Sequence, residues 1–235
     1  MPLLGNDSEL TAQQVDRRFD LDLEAIDHEF RTHADPARMV RWLVDTFGID
    51  QIVLASAMAA PVLVDLVSSI APGVQVVFLD TGYHFDETLR TVDAVAARYP
   101  IRLTVTAAPP VGDEMYLTDP DACCARRKVL PFEQVRSTKA AWISGVRRSD
   151  SPTRVNTPFI NRDRQGLVKL NPIAAWTDDD VATYAAIHEV PINPLMSQGY
   201  PSIGCWPCTS RPRHADDTRS GRWADNAKTE CGLHL

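Results

Sequence analysis

Apolar residues fall at Met39, Val40, Leu43, Val44 and Phe47, a helical spacing framed by Asp35-Pro36 in front and Gly48 behind. Aspartate as cap with proline at the first helical position explains the start, and glycine explains the stop. The next apolar run, Gln51 to Ala55, is short and dense enough for a buried strand. Small residues and Pro61 follow, after which Val62 to Ile70 reads as a helix. The pattern then repeats, with a strand at Gln75 to Leu79, a turn at Asp80-Thr81-Gly82 and a helix over Phe85 to Tyr99. Arg102 to Thr106 reads as a third strand. Beyond a Pro-rich connection at Ala107 to Val111, a helix around Asp121 to Ser137 precedes a fourth strand at Ala140 to Gly145. This alternation predicts an α/β fold: an open, mainly parallel twisted sheet flanked by helices.

The pattern weakens further on. Arg147 to Asn171 is irregular and charged, and Thr177-Asp178-Asp179-Asp180 looks like the acidic start of a helix ending near His188. Val190 to Ser210 has no charged residue, yet prolines at 191, 194, 201 and 207 exclude one continuous helix, so an ordered loop around a site is expected. From Arg211 onward the chain is polar and poor in aliphatic residues until its last five positions, the pattern of a mobile tail. The expected organisation is an N-terminal helical extension over 1–34, a domain over 35–210 and a tail over 211–235.

With 235 residues, 44% of them hydrophobic, the chain can bury a sizeable core. Its 24 Lys and Arg against 31 Asp and Glu give a net charge of −7, which argues against non-specific nucleic-acid binding. The charge is divided unevenly. Residues 1–125 carry 8 basic and 20 acidic side chains, whereas residues 126–235 carry 16 and 11, so the second part can receive a small anion. The longest apolar stretch, Gln51 to Val64, falls short of the roughly 18 to 20 residues that cross a bilayer. The segment Met1 to Leu10 contains Asp7 and Glu9 and lacks the basic flank and apolar run of a secretion signal. A cytoplasmic protein without a membrane partner is expected.

Five cysteines stand as the adjacent pair Cys123-Cys124, the C-x-x-C pair Cys205 and Cys208, and a lone Cys231. An odd count disfavours a complete disulfide framework and points to metal or redox chemistry. Four thiolates in two local pairs suit one zinc ion or one iron–sulfur cluster. Neighbouring helical residues point about 100° apart, which is awkward for one zinc ion shared by Cys123 and Cys124. A 4Fe-4S cube presents separate irons to adjacent cysteines and is favoured by that geometry.

The residues around these cysteines are more specific. Cys-Cys-Ala-Arg-Arg-Lys at 123–128, Tyr-Pro-Ser-Ile-Gly-Cys-Trp-Pro-Cys-Thr at 200–209 and Lys-Thr-Glu-Cys-Gly-Leu-His at 228–234 together resemble the assimilatory adenylylsulfate reductases. Leu-Asp-Thr-Gly at 79–82, Gly-Val-Arg-Arg at 145–148 and Asn-Pro-Ile-Ala-Ala-Trp-Thr at 171–177 extend the resemblance over about residues 35–235. The related phosphoadenylylsulfate reductases share the nucleotide fold and the terminal motif but typically lack both cysteine pairs. The resemblance therefore implies an adenine nucleotide alpha hydrolase-like fold, adenylylsulfate as substrate, and a 4Fe-4S cluster held by Cys123, Cys124, Cys205 and Cys208. A reductase preferring the 3′-phosphorylated substrate is the alternative within the family, and a metal-binding redox sensor is the alternative outside it.

The same resemblance implies the remaining roles. Cys231 is the nucleophile that forms an S-sulfocysteine, which thioredoxin or glutaredoxin then resolves. Lys128, four residues after Cys124, stands near both cluster and substrate, and His234 orients or polarises the sulfate. Arg147, Arg148 and Arg154 form an anion-binding loop, while Arg219 and Arg222 approach the phosphosulfate from the tail. Ser56 and Ala57 belong to a pyrophosphate-type loop, with Leu79 and Thr81 near adenine or ribose and Gly145 at the edge of the fourth strand. The chain departs from the pattern at Ala60-Pro61, where relatives commonly carry an acidic residue after Met-Ala. A homo-oligomer is compatible with all of these features.

Overall fold

The computed structural model describes residues 21–107, 110–213, 217–224, 228, 230 and 232–233. Helix α1 spans Leu23–Thr32 and α2 spans Pro36–Phe47, with the Asp35 carboxylate accepting the Ala37 amide at 2.9 Å as its cap. Gly48 ends α2 at φ 77°, a left-handed conformation that glycine adopts without Cβ strain. Strand β1 (Ile52–Ala55), helix α3 (Val62–Ile70), strand β2 (Gln75–Leu79), helix α4 (Asp86–Arg98) and strand β3 (Arg102–Thr106) follow as the periodicity predicts. The order of the sheet is β3-β2-β1-β4-β6-β5, where β4 is Ala141–Ser144, β5 Ile160–Arg162 and β6 Val168–Leu170. All pairings are parallel except β5 with β6.

That last pair corrects the reading of Arg147 to Asn171 as irregular. Each of its strands is only three residues long, and Arg162 and Lys169 interrupt the apolar signal, so periodicity cannot reveal them. The α1 helix braces this edge, because the Asp27 carboxylate accepts the Phe159 amide at 2.6 Å. Helix α8 (Asp178–Ile187) begins with the Thr177 hydroxyl and the Asp180 carboxylate capping each other's backbone amides.

Strand side chains alternate between two apolar layers. Ile52, Leu54, Val76 and Phe78 enter the larger core with α2, α3 and α4, while Val53, Val77 and Leu79 face Phe132, Trp142 and Leu167 on the other side. Full burial of such side chains contributes about 1.5–3 kcal/mol each. Burial on both faces fixes the strand register and therefore the positions of the loops at the strand ends.

The expected helix over Asp121 to Ser137 is present in three pieces. Helix α5 (Met115–Thr118) precedes α6 (Pro120–Cys124), a π-turn over Ala125–Val129 and α7 (Leu130–Arg136). Pro131 has no amide to donate to the preceding turn, and the ladder shifts to an i→i+5 bond from Leu130 to Ala125. The shift falls on the segment that carries Arg127 and Lys128.

Lys169 is buried beneath the second layer, its Nζ 4.9 Å from the Trp142 ring centroid. Burial, reinforced by the nearby Arg154 charge, pushes its pKa down to about 8. The unfolded chain therefore holds this proton to higher pH than the folded one, and stability rises between about pH 8 and the ordinary lysine value of about 10.4. Lys169→Met is expected to remove that rise and to increase the melting temperature at pH 7 by a few degrees. Thermal unfolding of both proteins across pH 7 to 10 checks it, and parallel pH profiles would refute it.

Candidate active site

Sheet order reverses its direction of growth at β1, which lies between β2 and β4. The carboxyl ends of β1 and β4 consequently open onto a crevice, the usual ligand position in an open α/β sheet. A cavity of about 880 Å³ occupies it. Ser56, Ala57, Leu79, Gly145, Arg147, Arg154, Arg219, Arg222 and Lys128 all line this cavity, so the sequence-predicted residues from five separate segments are brought together. The Ser56 hydroxyl accepts the Met58 amide at 3.3 Å, folding the small-residue loop, and the Ala59 carbonyl accepts the Asn193 amide at 3.0 Å.

Two predicted contacts lie elsewhere. The Arg148 side chain turns away, donating from Nε to the Thr157 carbonyl at 2.9 Å and resting 4.6 Å from the Phe159 ring centroid. Its aromatic platform is in the β5 segment that sequence periodicity concealed. Thr81 is fully buried, and its Oγ1 lies 3.2 Å from Cys205 Sγ instead of lining the cavity. Cys231 and His234 lie outside the described residues.

One wall of the cavity is an alternating row of charge. Arg147 Nη2 bonds Asp178 at 2.7 Å and Asp150 at 2.9 Å, while Arg154 Nη1 bonds the other Asp150 oxygen at 2.9 Å. Arg154 then grips Glu230 with two parallel bonds, Nε to Oε1 at 2.8 Å and Nη2 to Oε2 at 2.6 Å. Arg219 Nη2 approaches the same carboxylate at 3.5 Å. Burial alone would raise the Glu230 pKa, but Arg154, Arg219 and Thr153 outweigh it and hold the carboxyl below its ordinary range. For Arg219 burial dominates, with the neighbouring Arg154 charge acting in the same direction, and the pKa is lowered.

Several buried nitrogens of lining residues have no hydrogen-bond partner among the described residues: His84 Nδ1, Arg147 Nη1, Arg222 Nε and Trp223 Nε1. Leaving such groups unpaired is costly, typically about 1–3 kcal/mol each. His84 donates from Nε2 to the Leu79 carbonyl at 2.9 Å, and burial lowers its pKa. Arg222 reaches the cavity across Gly204, where any Cβ would come within 2.2 Å of its Nη2. Glycine beside Cys205 is therefore what lets this guanidinium pass.

Below the cavity, Cys123, Cys124, Cys205 and Cys208 line one small pocket, together with Thr81, Arg127 and Tyr83. None of the four is joined in a disulfide among the described residues. Lys128, Arg222 and Trp223 line both this pocket and the larger cavity. Arg127 is almost wholly buried and holds the pocket floor: Nη1 donates to the Thr81 carbonyl at 3.0 Å and Nη2 to Asp113 and the Pro110 carbonyl at 2.9 Å. Its guanidinium also sits 4.7 Å from the Tyr83 ring centroid. Burial would raise the Cys205 pKa, but the Lys128 charge, the Thr81 hydrogen bond and the Arg222 charge outweigh it and lower it. Burial and the nearby Cys205 raise both Cys123 and Cys208. Among the described residues, no three His, Cys, Asp or Glu groups are arranged about a single-ion position. No helix of the described residues is long and apolar enough to cross a membrane.

Residues 51–211 match the phosphoadenosine phosphosulfate reductase domain family. The chain belongs to that family. Among the relatives of this phosphoadenosine phosphosulfate reductase family chain is an adenosine 5′-phosphosulfate reductase of Mycobacteroides abscessus, 49% identical over 86% of this chain and 88% of the relative. The enzyme of the same name from Rhodococcus opacus is 44% identical over 86% and 89%. A phosphoadenylyl-sulfate reductase from Candida auris, solved as a phosphate complex, superposes with a TM-score of 0.71 at 28% identity, covering 82% of this chain and 99% of that one. An FMN adenylyltransferase from Candida glabrata shares the fold alone, with a TM-score of 0.58 at 17% identity.

Sequence reading missed His84, Asp150, Arg127, Gly204 and Glu230 as parts of the site. Glu230 stood in the quoted terminal motif without a role of its own, and Asp150 is recognisable only through its arginine partners. Arg127 stood in the quoted cysteine motif, but its burial follows from the π-turn and from no periodicity.

Proposed function

We propose that this protein reduces adenylylsulfate to sulfite and AMP in sulfate assimilation. The observation that carries the reading is Lys128, a cation shared by the arginine-lined cavity and the four-cysteine pocket. A cavity for an adenine nucleotide alone has no need of such a pocket beside its anion-binding end. Relatives at 44–49% identity named adenosine 5′-phosphosulfate reductase support the substrate assignment.

The four thiols and the adjoining cations suit a 4Fe-4S cluster, whose thiolate charge needs compensation. Cys123, Cys124, Cys205 and Cys208 would hold it, and when bound it supplies a fixed field of iron and sulfide charge next to Lys128. The nucleotide occupies the crevice beside Ser56, Ala57 and Leu79, with Arg147, Arg154, Arg219 and Arg222 around the phosphosulfate. The Cys231 thiolate attacks the sulfate sulfur, forming a sulfur–sulfur bond, and the sulfur–oxygen bond to AMP breaks with its electron pair leaving on AMP. His234 adjoins this step as a polarising group. A thiolate of thioredoxin or glutaredoxin then attacks Cys231 Sγ and releases sulfite, and a second thiol of that reductant closes its disulfide.

Mass spectrometry of the protein mixed with adenylylsulfate and no reductant tests this reading. The expected result is a sulfonate adduct on Cys231, released as sulfite when a thiol is added. No adduct, or an adduct that forms only with the 3′-phosphorylated nucleotide, would reject the assignment.

A further inference from the structure

We infer that Glu230 is a positioning residue, tying the segment that carries the nucleophile to the two arginines of the anion-binding wall. This rests on the proposed function for the identity of the nucleophile. Glu230 is buried, yet it does not line the cavity, whereas both of its arginine partners do. Its carboxylate therefore holds Arg154 and Arg219 from outside the cavity that both of them line. The grip on Arg154 is bidentate, at 2.8 and 2.6 Å, and the Thr153 hydroxyl adds a third donor at 3.3 Å. A planar fork of this kind fixes orientation as well as distance.

The tail is attached on either side of Glu230 as well. Lys228 pairs with Asp121, on the helix that carries Cys123 and Cys124. Leu233 packs against the second apolar layer and lines the cavity. Gly232, at φ 84°, allows the turn between these attachments. Of these anchors Glu230 is the one seen bonded to arginines assigned to the phosphosulfate, and it immediately precedes Cys231 in the sequence. One carboxylate thus couples the placement of the attacking thiol to the placement of the charges that hold its target.

The removal of such a tether lowers the probability that thiol and sulfur are aligned, without removing a cation from the cavity. Glu230→Gln keeps the shape and loses the charge-assisted pairing. We expect it to slow adduct formation on Cys231 at saturating adenylylsulfate by about 10- to 100-fold, with KM changed by less than about threefold. Amide exchange over residues 228–233 should rise in the same variant, more than exchange in the strands of the sheet, while the domain still unfolds cooperatively. Glu230→Asp, which retains the charge, should recover part of the lost rate. An unchanged rate of adduct formation, unchanged exchange, or a raised KM with an unchanged rate constant would each overturn the inference. If wild type itself forms no adduct, the proposed function fails, and the exchange measurement still decides the tether separately.

Discussion

Cys208→Ser is expected to lower bound iron and acid-labile sulfide to background and to abolish sulfite formation, whereas Cys231→Ser is expected to keep the iron and abolish only the chemistry. The two cysteines differ in the role assigned to them. Cys208 shares its pocket with three other thiols, and its backbone amide and carbonyl fasten the loop, bonding Cys205 O at 3.0 Å and Trp223 N at 3.1 Å. Serine at 208 preserves those backbone bonds but supplies no thiolate, the form in which cysteine binds metal. The domain should therefore stay folded and lose its broad visible absorbance. Cys231 lies in the terminal motif, outside the four-thiol set, and its replacement should reduce turnover on the order of 10⁴- to 10⁶-fold, the scale seen when the nucleophile of a covalent enzyme is removed. Metal analysis, absorbance and the adduct assay separate the two effects. Iron retained in full by Cys208→Ser would contradict the cluster assignment.

The parts of the fold that were legible share a physical cause. Strands β1, β2 and β4 announce themselves because burial demands dense apolar runs, and helix ends because caps demand particular residues, as at Asp35-Pro36 and Gly48; the edge strand β3 shows instead the alternation of Leu103 and Val105 with Arg102, Thr104 and Thr106. Strands β5 and β6 were hidden because three residues cannot establish a period, and because Lys169 faces the Trp142 ring instead of solvent. Their concealment also misplaced Arg148, which uses Phe159 beside β5 as its platform.

The site was legible wherever chemistry required a rare residue type. Adjacent cysteines, a C-x-x-C pair and a cluster of arginines are uncommon enough to be noticed singly. Their partners were not, since Asp150 and Glu230 are ordinary acidic residues until the fold sets them between Arg147, Arg154 and Arg219. The opposite charges of the two parts of the chain gain a similar explanation. The basic second part supplies the wall and brings its own carboxylates, so the arginines reach the cavity already oriented.

Lys128→Ala is the second large effect expected, a loss of about 10²- to 10³-fold in kcat/KM for adenylylsulfate with iron content unchanged. Lys128 lines both compartments, and its charge helps lower the Cys205 pKa against the opposing effect of burial. In the proposed complex it stands between two negative groups, the thiolate-ligated cluster and the phosphosulfate. Without it, those charges face each other in a poorly solvated region, where repulsion is weakly screened by salt. Lys128→Arg should recover part of the activity, because the charge returns while its position changes. Exposed Arg90, paired with Glu87 at 3.2 Å on the outer surface of α4, provides the comparison: Arg90→Ala should alter kcat/KM by less than about twofold. The distinction is between a cation placed where two anions meet and one placed in water. If Lys128→Ala behaves like Arg90→Ala, the shared lining of the two compartments has no catalytic consequence.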